Sequence, residues 1–370
     1  MTSLRSLSLA SLAALAFAGC ASNKPVTMAD SFDLDLFGAH VDDLHTPYVA
    51  GAQFTITVSS ENTQSQAGWT LASSDPRVIQ VTGALAQGTA GVTCAGVGQA
   101  VLSVLDASGS VLDSHAVSVA IPDRVGIYAE GPLLTGASDE TAQVTHASVV
   151  AGGEATFLVR YFAQGTELYG SGALAPSGTG GVTATTVSAS FASARDFLQV
   201  SPAPMGASGT VSLVVDHTTV GELPITAVDP SSVTQVTILP QATDSAQKGD
   251  SLALYAHAMD ASSSDVYGAS FDWQINGQSQ PSAFYDGPAD LFFYSYDSGV
   301  TENVAATYES FAPYAVVHGQ GGSVGSTGFT GCALSGAPGA PDSSAAASSL
   351  LAFALAMTGV VFARRKRASS

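Results

Sequence analysis

The chain has 370 residues, of which only 11% are charged against roughly a quarter in an ordinary soluble domain, and 38 are glycine. Five of its eleven basic residues lie at the ends (Arg5, Arg364, Arg365, Lys366 and Arg367). Between residues 20 and 363 only Lys24, Arg77, Arg124, Arg160, Arg195 and Lys248 face thirty acids, a formal charge of −24. Such a surface repels phosphate backbones and so excludes nucleic acid as a partner; it also repels anionic lipid headgroups.

At the N-terminus, Arg5 precedes an apolar run from Leu7 to Ala18 that ends in small residues before Cys20 and is too short for an ordinary membrane span. This is the grammar of a signal peptide over residues 1–19. The stretch Phe17-Ala18-Gly19-Cys20 resembles the bacterial lipoprotein signal, with Phe17 where that family prefers Leu. The resemblance implies cleavage before Cys20, acylation of its thiol and a lipid-held N-terminus outside the cytoplasm. An ordinary signal peptide that ends near a cysteine is the alternative.

Next comes an acidic entry with Asp30, Asp33, Asp35, Asp42 and Asp43. Asp33 and Asp35 alternate with Leu34 and Leu36, as a half-buried strand requires, so a solvated strand face explains them. The metal reading is an irregular calcium site on Asp33, Asp35, Asp42 and Asp43, because the acid, glycine and distal glutamate order of an EF-hand is absent.

From here the chain repeats. A glycine introduces an alternating strand at Gly51 to Val58, again at Gly153 to Arg160, and again at Gly249 to Ala256, spacings of 102 and 96 residues. That is the size of one immunoglobulin-like sandwich. Ala100 to Asp106 and Thr210 to Asp216 each run into a short turn and a return strand, followed by Pro122 and Pro230. A proline cannot donate into a sheet ladder and suits a boundary. Period-two alternation dominates throughout, so the expected fold class is all-β, with tandem sandwiches at 26–122, 123–230 and 231–319 joined stiffly by short linkers. Cys94, in phase with Val92, reads as a buried small hydrophobe.

In the first unit, Ser73-Ser74-Asp75-Pro76 leading into a strand and Gly96-Val97-Gly98 opening the next hairpin resemble the bacterial immunoglobulin-like (BIG) domains of surface proteins. The later units look like divergent relatives. The resemblance implies an adhesive, spacer or scaffold role and carries over no catalytic residue.

The third unit holds Phe271-Asp272-Trp273-Gln274-Ile275-Asn276-Gly277, a central strand with a core tryptophan before a tight Asn-Gly turn. It is also the richest in aromatic residues. Phe292, Tyr294 and Tyr296 share one strand face while Leu291 and Phe293 take the other. Two readings stand: an exposed row that stacks on sugar rings or docks a protein, or a large core with tyrosine hydroxyls at its rim.

After a Gly/Ser/Pro-rich spacer at 320–344, the uncharged stretch 345–363 reaches about 28 Å as a helix, enough to span a bilayer, with a basic tail at 364–370 held on the cytoplasmic side. Gly331-Cys332, the spacer, the short apolar segment and Arg364, Arg365, Lys366 and Arg367 resemble the MYXO-CTERM sorting tail of myxobacteria. That family implies recognition and removal by a membrane peptidase and delivery to the cell surface; a plain anchor is the alternative.

No zinc-ligand spacing, GxSxG elbow or Cys-His pair is present, so no catalytic residue and no required cofactor are expected. The sequence reads as a non-enzymatic, lipid-anchored protein of the outer membrane or cell surface. Its partners would be the membrane through lipid or helix, processing peptidases, and envelope glycans or surface proteins. The second reading is a carbohydrate- or calcium-assisted binding module centred on the third unit.

Overall fold

The computed structural model describes residues 26–30, 44–60, 66–134, 137–187, 195–202, 205–280, 290–296 and 298–319. The expected signal peptide, spacer, membrane segment and basic tail lie outside them, and among the described residues no helix is long and apolar enough to cross a membrane. The described chain is all-β.

The first eight strands are β1 (Val26–Asp30), β2 (Tyr48–Val49), β3 (Gln53–Ser60), β4 (Thr70–Ser73), β5 (Ile79–Ala86), β6 (Thr89–Cys94), β7 (Gly98–Leu105) and β8 (Val111–Ala120). They form one sheet in the order β1-β3-β6-β5 and another in the order β2-β8-β7-β4. All pairs are antiparallel except β2 with β8, where Tyr48 faces Val119. In immunoglobulin lettering these sheets are A-B-E-D and A′-G-F-C. Alternation explains the core: Phe54, Ile56 and Val58 on β3 point inward, as do Ala90, Val92 and Cys94 on β6 and Ala100, Leu102 and Val104 on β7. Trp69, 7% exposed, closes the core at the start of β4.

The next stretch holds β9 (Arg124–Ala129), helices α1 (Glu130–Leu134) and α2 (Asp139–Ala142), then β10 (Ala147–Val150), β11 (Ala155–Ala163), β12 (Thr166–Leu168), β13 (Ala175–Gly178), β14 (Val182–Val187), β15 (Asp196–Pro202), β16 (Ser208–Val215) and β17 (Thr218–Val228). The strand order repeats. β11 pairs with β9 and β15, β15 pairs with β14, and β13-β16-β17-β10 make the second sheet, with β10 parallel to β17. The short β12 folds back on the end of β11. Asp216 and His217, both at positive φ, make the two-residue turn from β16 to β17.

The last strands are β18 (Gln235–Leu239), β19 (Ala242–Ala246), β20 (Asp250–Met259), β21 (Val266–Tyr267), β22 (Asp272–Ile275), β23 (Gln278–Ser279), β24 (Leu291–Tyr296), β25 (Glu302–Thr307) and β26 (Tyr314–Gly319). They give β18-β20-β24 and β19-β26-β25-β22-β23, again with the A′-type strand β19 parallel to the last strand β26. Asn276 and Gly277, at φ 50° and 77°, form the turn between β22 and β23 that their sequence announces.

Packed contacts divide the chain into two compact units: the part up to Ala129 with Gln143–Val228, and Glu130–Ala142 with the part from Asp229 onward. In the second unit α1 lies on β20, where a Cβ at Gly131 would overlap the Tyr255 ring.

Candidate functional site

The aromatic row had two readings, an exposed ligand-contact row or a large core with tyrosine hydroxyls at its rim, and the burial of Phe292 and Tyr296 agrees with the core. β24 is the E strand, and its Phe292, Tyr294 and Tyr296 face lies against the opposite sheet. Phe292 is 3% and Tyr296 0% exposed, and Tyr294 is half-buried. Phe292 stacks on the buried Trp273 at 5.0 Å and 12°, and on Tyr294 at 5.4 Å and 18°. Tyr296 donates its hydroxyl to the Val300 carbonyl at 2.6 Å. Burial pushes the Tyr294 hydroxyl well above its ordinary pKa, helped by the nearby Glu302 carboxylate. Phe292, ringed by Trp273 and Tyr294, and the fully buried Tyr296 are closed to a sugar ring. Among the described residues of this sandwich, Tyr314 at the start of β26 is a large aromatic side chain that stays open, 66% exposed.

Cys20, Gly331, Cys332, Arg364, Arg365, Lys366 and Arg367 lie outside the described residues, as do Asp33, Asp35, Asp42 and Asp43. Among the described residues, no group of three or more His, Cys, Asp or Glu side chains is placed to hold a metal ion. Cys94 is 1% exposed, and burial pushes its thiol up to about 12. It behaves as the packed hydrophobe its position on β6 predicts.

The sequence did not reveal two polar clusters where the first two sandwiches meet, both within the first compact unit. At the end of β1 the buried Asp30 accepts from the His45 backbone at 2.6 Å and from the Tyr48 hydroxyl at 2.9 Å, and His45 Nδ1 lies 2.7 Å from its other oxygen. Beside this, Val49 donates to the Tyr169 carbonyl and Tyr169 to the Pro47 carbonyl, each at 2.9 Å, so β2 carries a short parallel bridge to the chain just after β12. The Tyr169 ring lies 5.8 Å from His45 and 4.9 Å from the Arg195 guanidinium. Arg195 in turn pairs with Glu167 at 3.0 Å.

Behind Tyr169, the buried Asp196 at the start of β15 accepts from the Gly172 backbone at 2.8 Å and from the Tyr161 hydroxyl. Burial raises the Asp196 carboxyl and, together with the Asp196 charge, raises Tyr161 well above the ordinary phenol value. The Asp30 and Asp196 carboxylates each accept from a backbone N–H and a tyrosine hydroxyl. The arrangement fixes the loop from Tyr169 to Leu174 against the first sandwich.

The described arginines are all engaged by their own neighbours. Arg124 lies over Phe162 at 4.1 Å, Arg160 over Tyr128 at 4.9 Å, Arg195 as above, and Arg77 pairs with Asp75 at 2.8 Å. Among the described residues the arginines are thus held against rings or carboxylates of their own surroundings.

Two comparisons, one with family models and one with curated proteins, gave no match. Solved structures similar to this chain include domains 4–9 of the surface layer protein SbsC (15% identity, 80% of this chain and 47% of that one, TM-score 0.32). Others are invasin, titled a bacterial integrin-binding protein (14%, 80% and 59%, TM-score 0.24), and FdeC, an Escherichia coli adhesin (14%, 81% and 99%, TM-score 0.23). The chain spans just under half the length of the SbsC structure. Likenesses this distant carry no argument about activity or partners, and the immunoglobulin-type topology stands on the strand order itself.

Proposed function

We propose that this chain is an exported, non-enzymatic protein held at the cell envelope, whose three immunoglobulin-topology sandwiches serve as a spacer or adhesive scaffold. The observation that carries this reading is the recurrence of an immunoglobulin-type strand order in three successive stretches of the described residues. The ends supply the address: a lipid on Cys20, and sorting through Gly331, Cys332 and the basic run Arg364 to Arg367. Contact with a partner would run through sheet faces and loops, weak singly and multiplied by display of many copies.

The test is the intact mass of the protein recovered from native envelopes. Acylated Cys20 with loss of the chain beyond about Cys332 agrees with a sorted surface lipoprotein. A mass that retains Arg364 to Arg367 and lacks acyl groups contradicts both terminal assignments.

A further inference from the structure

Strand β2 is only two residues long, and both of its edges are used. On one side Tyr48 and Val49 run parallel to Val119 and Ala120 of β8. On the other, Val49 donates to the Tyr169 carbonyl and the Tyr169 N–H donates to the Pro47 carbonyl, each at 2.9 Å, in a parallel bridge between Tyr48 and Tyr169. A segment of the second sandwich therefore completes the edge of a sheet that belongs to the first. The chain after β2 is tied into the first sandwich at once. Gly51 donates to the Cys94 carbonyl at 2.8 Å, and Cys94 donates to the Ala52 carbonyl at 2.9 Å.

Close packing seals the same seam. Tyr48, Val49 and Ala52 are each 0% exposed, and a Cβ on Gly170 would come within 2.5 Å of the Ala52 Cβ and 3.2 Å of the Val49 Cγ1. The other flank of this loop is held by its own sandwich, where the Asp196 carboxylate accepts from the backbone N–H groups of Gly172, Ala173 and Leu174. Asp196 in turn opens β15, which pairs with β11.

From this shared strand we propose that the first two sandwiches open and close as one cooperative body, with β2 and the loop from Tyr169 to Leu174 as the coupling element. Two residues fall below the usual strand length of about three to ten, so β2 depends on having a neighbour on each side. Loss of the second sandwich takes away one of them and exposes the apolar seam of Val49 and Ala52 to water. Sandwiches joined only by a linker share little packed surface and open separately. The inference goes beyond the scaffold reading, and gives such a scaffold a joint that is stiff because neither sandwich is complete without it.

Cys94 reports on this coupling from inside the first sandwich. It is 1% exposed, and a buried thiol reacts when its surroundings open. The purified full-length protein is labelled with a water-soluble maleimide in moderate urea, where reaction follows global opening, and Cys94 is resolved by peptide mass. Leu213→Ala removes a fully buried side chain from β16 of the second sandwich. It should speed Cys94 labelling by about thirtyfold or more, the same order as Leu102→Ala in the first sandwich's own core. Trp273→Ala in the third sandwich should leave the rate unchanged. In a Gly170→Val background, where the added side chain wedges the loop away from Ala52, Leu213→Ala should no longer affect Cys94. A Cys94 rate that Leu102→Ala raises and Leu213→Ala leaves alone overturns the proposal, and this comparison decides even where Gly170→Val does not fold. Coupling that survives the wedge, or an equal acceleration by Trp273→Ala, overturns it too. Purified protein answers this wherever the cell places the chain, so a failure of the envelope reading would be seen separately.

Discussion

The first and third sandwiches follow one strand order and fill it differently. In the first, aliphatic side chains such as Ile56, Val92, Leu102 and Val104 make most of the core, and the outer sheet faces are neutral. In the third, Trp273, Phe292 and Tyr294 form a stack across the sheets, and Tyr296 closes one end with a hydrogen bond to Val300. An abundance of aromatic residues therefore marks the interior of the third sandwich, and aliphatic packing that of the first. Residue type left the aromatic row of the third with two readings, an exposed row or a large core, and the burial of Phe292 and Tyr296 favours the core.

The comparison can be broken most sharply at Trp273. Truncation to Ala removes a fully buried ring and its stack with Phe292, and should destabilise the third sandwich by about 3–5 kcal/mol. Calorimetry should show its transition falling while that of the first compact unit holds; a common shift of both would contradict two separate packing units. A smaller loss is expected where the first two sandwiches meet. Gly170 sits at φ 122°, and an added Cβ would lie 2.5 Å from the Ala52 Cβ. Gly170→Ala should cost about 1–3 kcal/mol in the first compact unit by crowding and left-handed strain, read from its denaturation midpoint. Tyr161→Phe removes the hydroxyl that Asp196 accepts and should cost about 1–3 kcal/mol in the same unit.

Acidity should distinguish the third sandwich as well. Burial pushes Asp290, just before β24, up to about 7 from an ordinary 3.8. A carboxyl raised on folding binds more protons in the folded chain between these values, so its contribution makes stability fall as pH rises from about 4 to 7 and then level off. Asp290→Asn should flatten that slope in thermal melts taken across the range; an unchanged slope would place its origin elsewhere. The smallest effect is chemical. Cys94, buried and with its thiol at about 12, should resist iodoacetamide at pH 7 until the first sandwich unfolds.

Much of this architecture can be read from the chain. The recurring glycine before an alternating run marks strands β3, β11 and β20, the B strand of each sandwich, and Gly51 and Gly249 take φ near 90° where that turn needs it. Asn276-Gly277 and Trp273 behave as their chemistry requires. What alternation does not tell is which of two apolar faces turns inward: Phe292, Tyr294 and Tyr296 alternate with Leu291 and Phe293, and only the tertiary fold decides. The helices α1 and α2 have five and four residues, too short to show a helical period. The polar clusters escape for another reason. Asp30 meets His45 fifteen residues on and Tyr161 meets Asp196 thirty-five residues on, pairings that no local spacing encodes.

Surface display is the claim on which the functional account turns, and Lys248 offers a direct probe because it is exposed and precedes β20. Intact cells should be treated with a membrane-impermeant amine reagent and the recovered protein mapped by peptide mass. The account predicts that Lys248 is modified on unbroken cells. Modification that appears only after the outer envelope is permeabilised would place the sandwiches inside it and contradict a role in contact with the cell's surroundings.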